Sequence, residues 1–112
     1  MTTLRNSVKL IGRPGKDPEV KQLANERKVA RFTLATNEYY YNAKGERVEE
    51  TQWHNLVAWG KTAEVIGKIV KKGREVAVEG KLTSRLWEDK EGKKHQVVEV
   101  LINEIMLLEK AS

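Results

Sequence analysis

A chain of 112 residues, 39% hydrophobic and 33% charged, has room for one modest core and not for two. Its 21 Lys and Arg against 16 Asp and Glu give a formal charge of +5, which favours a polyanionic partner without identifying one. With no cysteine, disulfides, thiol nucleophiles and thiolate metal sites are excluded, and no apolar run approaches the ~20 residues of a membrane-spanning helix.

Met1 to Arg5 lacks the basic-then-apolar pattern of a secretory signal, so a cytoplasmic location is expected. Ser7 to Gly12 reads as a first strand, ended by the turn-rich run Gly12-Arg13-Pro14-Gly15-Lys16-Asp17-Pro18. Val29 to Tyr41 is a long second strand with Ala30, Phe32 and Leu34 at alternating positions. Asn42-Ala43-Lys44-Gly45 is a hairpin turn, Gly45 supplying a residue tolerant of positive φ. Thr51 to Trp59 is a third strand, broken by Gly60.

Lys61 to Lys72 has helical spacing, with Val65, Ile66, Ile69 and Val70 on one face. Gly73 is expected as its C-cap, with Lys71 and Lys72 suited to the negative end of the helix. Arg74 to Trp87 is a fourth strand in which Val76, Val78 and Leu82 alternate with polar residues. Glu88 to Lys94 is a solvated loop, and Gln96 to Leu108 a fifth strand, apolar on both faces and so expected to be well buried. Positive charge is carried by the middle of the chain: Lys61 to Lys94 holds ten basic residues against six acidic ones.

Three strands, one helix and two strands predict an all-β chain. The order suits a five-stranded Greek-key barrel of the OB type, with its α-helix between strands 3 and 4. A β-grasp or an open α+β sheet accommodates the two long hairpins less well. No repeat or linker interrupts the pattern, so residues 1–112 are expected to form one domain.

Trp53 and Trp59 are six positions apart, so an unbroken strand points both to one face, with Asn55 between them. Leu56 and Ala58 point the other way, and His54 with them, as a packed residue rather than a base. Trp87 shares parity with Lys81, Thr83 and Arg85, against Val76, Val78 and Leu82. If the aliphatics face the core, three indoles stand outside among cations. If the indoles are core residues, as Trp usually is, the aliphatics stand outside, and a β-bulge would exchange the two. Tyr40 groups with Phe32 and Leu34, Tyr39 and Tyr41 with the opposite face, although a strand overshooting the barrel rim frees its inward face.

Exposed rings suit nucleobases, because every base offers a π-face and stacking contributes ~1–3 kcal/mol per base. Lys61 near Trp59, and Arg85 near Trp87, are placed to meet phosphates beside stacked bases. A duplex reader would carry a basic recognition helix. Here the helix sets Glu64, Lys68, Lys71 and Lys72 around an aliphatic face, and is expected to plug the barrel. Catalysis has little to work with: Ser7, Ser84 and Ser112 are the serines, and Asp17 and Asp89 the aspartates. His54 and His95 have no second ligand at metal-binding spacing, so no catalytic residue, metal or cofactor is expected. Gly12-Arg13-Pro14-Gly15 reads as a plain turn rather than a phosphate-cradling loop.

Several short motifs, in order and over residues 4–108, resemble the bacterial single-stranded DNA-binding protein family. They are Gly12-Arg13-Pro14-Gly15-Lys16-Asp17-Pro18-Glu19-Val20, Thr33-Leu34-Ala35-Thr36, Thr51-Gln52-Trp53-His54, Trp59-Gly60-Lys61-Thr62-Ala63-Glu64-Val65, Lys72-Gly73 and Val78-Glu79-Gly80-Lys81-Leu82. The resemblance implies an OB fold and a homotetramer, a dimer of dimers, around which single-stranded DNA wraps. It also implies protection of that DNA at the nucleoid during replication, repair and recombination, without cofactor or catalysis. The family's base-stacking aromatics fall on Tyr40, Trp53, Trp59 and Trp87, with Trp common at the first of these and Phe at the third. Arg5, Lys9, Lys61, Lys72 and Arg85 are expected to follow the DNA backbone, whereas Asn55, Thr83 and Leu86 stand where the family is often basic. The family's Gly/Pro/Gln-rich linker and acidic tip are expected to be absent beyond Ala111-Ser112, as in a truncated or naturally short member. Two other readings are a related primosomal or RNA-binding OB module, and a structural oligomerisation domain whose indoles are subunit contacts. An enzyme is the least supported.

Overall fold

The computed structural model describes residues 5–108. Six strands and one helix follow in the order β1 (Val8–Pro14), β2 (Glu19–Gln22), β3 (Lys28–Tyr41), β4 (Arg47–Trp59), α1 (Gly60–Ile69), β5 (Val76–Glu88) and β6 (Lys94–Leu107). Neighbours run β1-β5-β6-β4-β3, and β1 returns to pair with β3, which closes a five-stranded barrel. All pairings are antiparallel except the short β4–β6 contact, Leu56 opposite Val100 and Val57 opposite Leu101, which is parallel. Gly12 makes the closure possible: a Cβ there would lie 2.1 Å from the Ala35 carbonyl oxygen, so any side chain would force β1 and β3 apart.

The core is the set of inward positions that strand alternation picks out. Ala30, Phe32 and Leu34 of β3, Leu56 and Ala58 of β4, and Val76 and Val78 of β5 are buried with Val100 and Ile102 of β6. Ala63 and Ile66 of α1, with Val70 just beyond it, close one end of the barrel. On β6 the register with β5 jumps from Glu79–Glu104 to Gly80–Ile102, leaving Asn103 as the extra residue of a bulge. The bulge switches the inward positions from Val100 and Ile102 to Ile105 and Leu107, which explains why apolar residues occur at both parities of this strand.

The five barrel strands and the helix between the third and fourth of them agree with the sequence reading. Four features differ. The short β2, pairing with β3 outside the barrel, occupies a stretch that carries no alternating apolar signal and is exposed throughout. It turns into β3 through Leu23–Arg27, with Glu26 at φ +65° and the Asn25 side chain accepting the Arg27 N–H. The helix stops at Ile69, so Gly73 is not its C-cap; at φ +83° it shapes the following turn and donates its N–H to the Pro14 carbonyl. Val65 points to solvent rather than to the core. Finally, Leu82 and Val98 are exposed, because beyond Gly80 the β5–β6 hairpin extends past the barrel as an arm.

The solvated loop expected over Glu88–Lys94 is largely exposed and narrows to a tight hairpin turn at residues 89–93, with Glu88 and Lys94 paired as strand ends. The Asp89 carboxylate accepts the N–H groups of Glu91 and Lys93, each at 2.9 Å, and Gly92 has φ +84°. The β3–β4 hairpin repeats the device, with Asn42 Oδ1 accepting from Lys44 and Glu46 and Gly45 at φ +78°. Asn/Asp followed three positions later by Gly is the shared sequence signal. No helix among the described residues is long and apolar enough to cross a membrane.

Candidate nucleic-acid interface

Strand register settles which side chains share a face. Ala35 lies opposite Trp53, Thr33 opposite Asn55, Arg31 opposite Val57 and Val29 opposite Trp59 across β3–β4. Arg85 lies opposite Val97, and Trp87 opposite His95, across β5–β6. Leu56 and Ala58 point into the core, so Trp53, Asn55, Val57 and Trp59 point out. Val76 and Val78 likewise leave Lys81, Thr83, Arg85 and Trp87 outward. The extra residue of the bulge belongs to β6, so the parity of β5 is undisturbed. One outer face of the sheet β3-β4-β6-β5 therefore carries all three indoles together with Arg31 and Arg85.

Each indole is held differently. Trp53 is 60% exposed and rests beside Gly15, where a Cβ would come within 2.7 Å of the ring. Glycine in the β1–β2 connection, and the small Ala35 across the ladder, leave that ring clear. Trp59 is half-buried, with the Arg27 guanidinium 4.7 Å from its ring centroid. Such a cation–π contact contributes ~0.5–1 kcal/mol at an exposed site, less than a stacked base can. Trp87, 42% exposed, stacks on His95 with centroids 4.5 Å apart and planes inclined by 22°. His95 Nε2 is in turn 2.8 Å from Asp89 Oδ2. That contact, helped by the Lys93 N–H, holds the Asp89 carboxyl below its ordinary range.

Tyr40 is 49% exposed, because β3 runs past the barrel rim after Thr36 and its inward face emerges into solvent. Register puts Tyr39 and Tyr41 on the face of Trp53, and Tyr40 on the reverse of the same arm. Tyr39 and Tyr41 meet edge to face at 6.2 Å, and Arg47 lies 4.1 Å over Tyr39.

The expected cations are scattered. Arg85 alone sits among the indoles, bonded through Nε to Glu99. Lys61 is the second residue of α1, separated from Trp59 by Gly60, and Lys72 lies in the turn after α1, where its backbone N–H bonds Asp17 at 2.8 Å. Arg5 is exposed ahead of β1. Lys9 lies on the opposite flank, in a shallow apolar groove with Ile11, Ala77 and Met106. His54 is half-buried against Thr36, with 2.9 Å between Nε2 and Oγ1, in keeping with a packing role.

Sequence reasoning missed Arg31, Arg27, Gly15, His95 and Glu99. Arg31 was accessible to it: inward Ala30, Phe32 and Leu34 leave Arg31 outward. The others depend on contacts across a turn or between distant segments, which a period-two pattern does not encode.

Residues 5–108 match the model of the single-strand binding protein family. The chain is similar to single-stranded DNA-binding protein 1 of Chlorobaculum tepidum, 42% identical over 92% of this chain and 64% of that one. Similarity to the single-stranded DNA-binding protein of Neisseria meningitidis serogroup A is 41% over 92% of this chain and 59% of the relative. The chain thus spans about three-fifths of the length of these curated relatives. Among solved structures, the Plasmodium falciparum complex with single-stranded DNA superposes with a TM-score of 0.85 at 33% identity, covering 97% of this chain and 99% of that one. A deletion variant of the Thermus aquaticus single-stranded DNA-binding protein gives 0.82 at 30%, covering 93% and 50%.

Proposed function

The chain belongs to the single-strand binding protein family, and on that premise we propose that it binds single-stranded DNA irrespective of sequence, as one barrel domain and without catalysis. The observation that carries this reading is the row of indoles on the outer face of β3-β4-β6-β5, with Arg31 and Arg85 among them. A π-face stacks on any base, and a guanidinium donates to any phosphate, so such a surface has affinity without preference. Bases stack on Trp53, Trp59 and Trp87, and on Tyr40 at the β3–β4 arm. Arg5, Lys9, Lys61, Lys72 and Arg85 follow the backbone, with Arg85 the one of these five on the face of the indoles. Protection of single strands at the nucleoid during replication, repair and recombination is the corresponding cellular role.

Assembly as a homotetramer, a dimer of dimers, is part of the same proposal. Its support is the bare apolar flank of β1, β5 and β6, where Ile11 and Met106 are exposed beside Ala77.

Intrinsic fluorescence tests the binding reading. Adding oligo(dT) quenches the tryptophans to saturation, and the affinity falls with salt by a log–log slope of about −0.7 per phosphate neutralised. Unchanged fluorescence at every DNA concentration would leave the indoles as subunit contacts and refute the proposal.

A further inference from the structure

Glu99 on β6 is 7% exposed, on the outer face of the sheet. Its Oε2 accepts from Arg31 Nη1 on β3, and its Oε1 from Arg85 Nε on β5 at 3.1 Å. A carboxylate this deep is tolerated because cationic donors satisfy both of its oxygens. Two cations against one anion leave an excess of positive charge at the cluster. Each guanidinium has five N–H donors, and these two bonds use one from each. Both arginine side chains remain nearly half exposed.

A cleft beside the cluster is lined further by Lys16, Thr33, Asn55 and Val97. Its two other carboxylates keep their charge, which Lys16 of the cleft and Lys21 beside it balance. Asp17 accepts the Lys72 N–H, and Glu19 pairs with Lys21 at 2.9 Å.

We propose that Arg31 and Arg85 form a phosphodiester site in this cleft, with Glu99 as the positioning residue that holds both forks in place. The inference rests on the reading of this face as the single-strand platform, and adds to it the bracing of both arginines by Glu99. An unbraced arginine on a strand samples many rotamers, and ordering each on binding weakens affinity by roughly two- to tenfold. Glu99 meets that ordering when the protein folds, so the forks are presented ready for bidentate contact with phosphate. Against this stands a simpler electrostatic role, in which Glu99 merely subtracts positive charge from the surface.

Oligo(dT) titrations over a range of salt concentrations, on the purified chain, separate the two. Glu99→Gln adds a net positive charge, yet positioning predicts weaker binding, roughly two- to tenfold for each arginine released. The substitution then has no further effect in a protein already carrying Arg31→Gln and Arg85→Gln. Arg31→Gln flattens the salt slope by about 0.7 if one phosphate contact is lost. Arg31→Lys, which keeps the charge at a half-exposed position, weakens binding too, and covers the case in which Glu99→Gln does not fold. Tighter binding by Glu99→Gln, or wild-type affinity and slope in both Arg31 variants, overturns the inference while wild-type quenching leaves the platform standing. No binding by the wild-type protein overturns both.

Discussion

Trp53 is the side chain most dependent on its immediate neighbours. Its indole stays out of the core because Leu56 and Ala58 hold the inward positions of β4, and stays accessible because Gly15 has no Cβ. Trp53→Ala is expected to weaken oligo(dT) binding by ~1–3 kcal/mol while the melting temperature changes little, since the ring stands outside the core and is proposed to stack on a base. Gly15→Ala is a subtler test. The added methyl would lie 2.7 Å from the ring, so the indole must swing aside; a titration should find weaker binding by a fraction of the Trp53→Ala loss, with circular dichroism unchanged. Parity made the outward placement of all three indoles legible from sequence. The partners of those rings were not, because Gly15, Arg27 and His95 reach them through the fold or across a turn rather than through alternation.

Strands and turns were legible to different degrees, and for a physical reason. β3, β4 and β5 announce themselves by apolar alternation because one face of each is buried. β2 has no buried face, and only its ladder with β3 defines it. Its turn places Glu26 at φ +65°, a conformation that costs a non-glycine residue ~1–2 kcal/mol. Glu26→Gly should therefore raise stability by about 0.5–1 kcal/mol in urea denaturation, since glycine returns part of the gain as chain entropy. The β5–β6 turn makes a pH prediction. Asp89 titrates below its ordinary value, through His95 first and the Lys93 N–H second. A depressed carboxyl contributes stability that is present above the unfolded value, near pH 4, and is lost as pH falls through the lower folded value. The stability gap between wild type and Asp89→Ala should be full above about pH 4 and close progressively below it.

At the scale of the molecule, shape points to assembly. The radius of gyration is 16.3 Å, against about 13 Å for a compact chain of this length. The excess comes from two hairpin arms that leave the barrel, one carrying Tyr39, Tyr40 and Tyr41, the other Leu82, Leu86 and Trp87. With Ile11 and Met106 also bare, much apolar surface lacks a partner within one chain. If the proposed assembly forms through this flank, replacing Ile11 and Met106 together by Glu should lower the mass in sedimentation analysis while the barrel stays folded; an unchanged mass would contradict assembly through this flank. The barrel itself was readable from strand count and the single helix, and the overshoot of β3 at Tyr40 as one option, but the β5–β6 arm was not, because alternation continues past the point where the core ends, as Leu82 illustrates.

The outer-face platform is tested most directly by following the indole N–H signals of the labelled protein during an oligo(dT) titration. Trp53, Trp59 and Trp87 should all shift and reach saturation at one DNA ratio, while the amides of Ala63 and Ile66 stay in place. Indole signals that do not move as DNA binds, or shifts confined to the flank of Ile11 and Met106, would contradict the account.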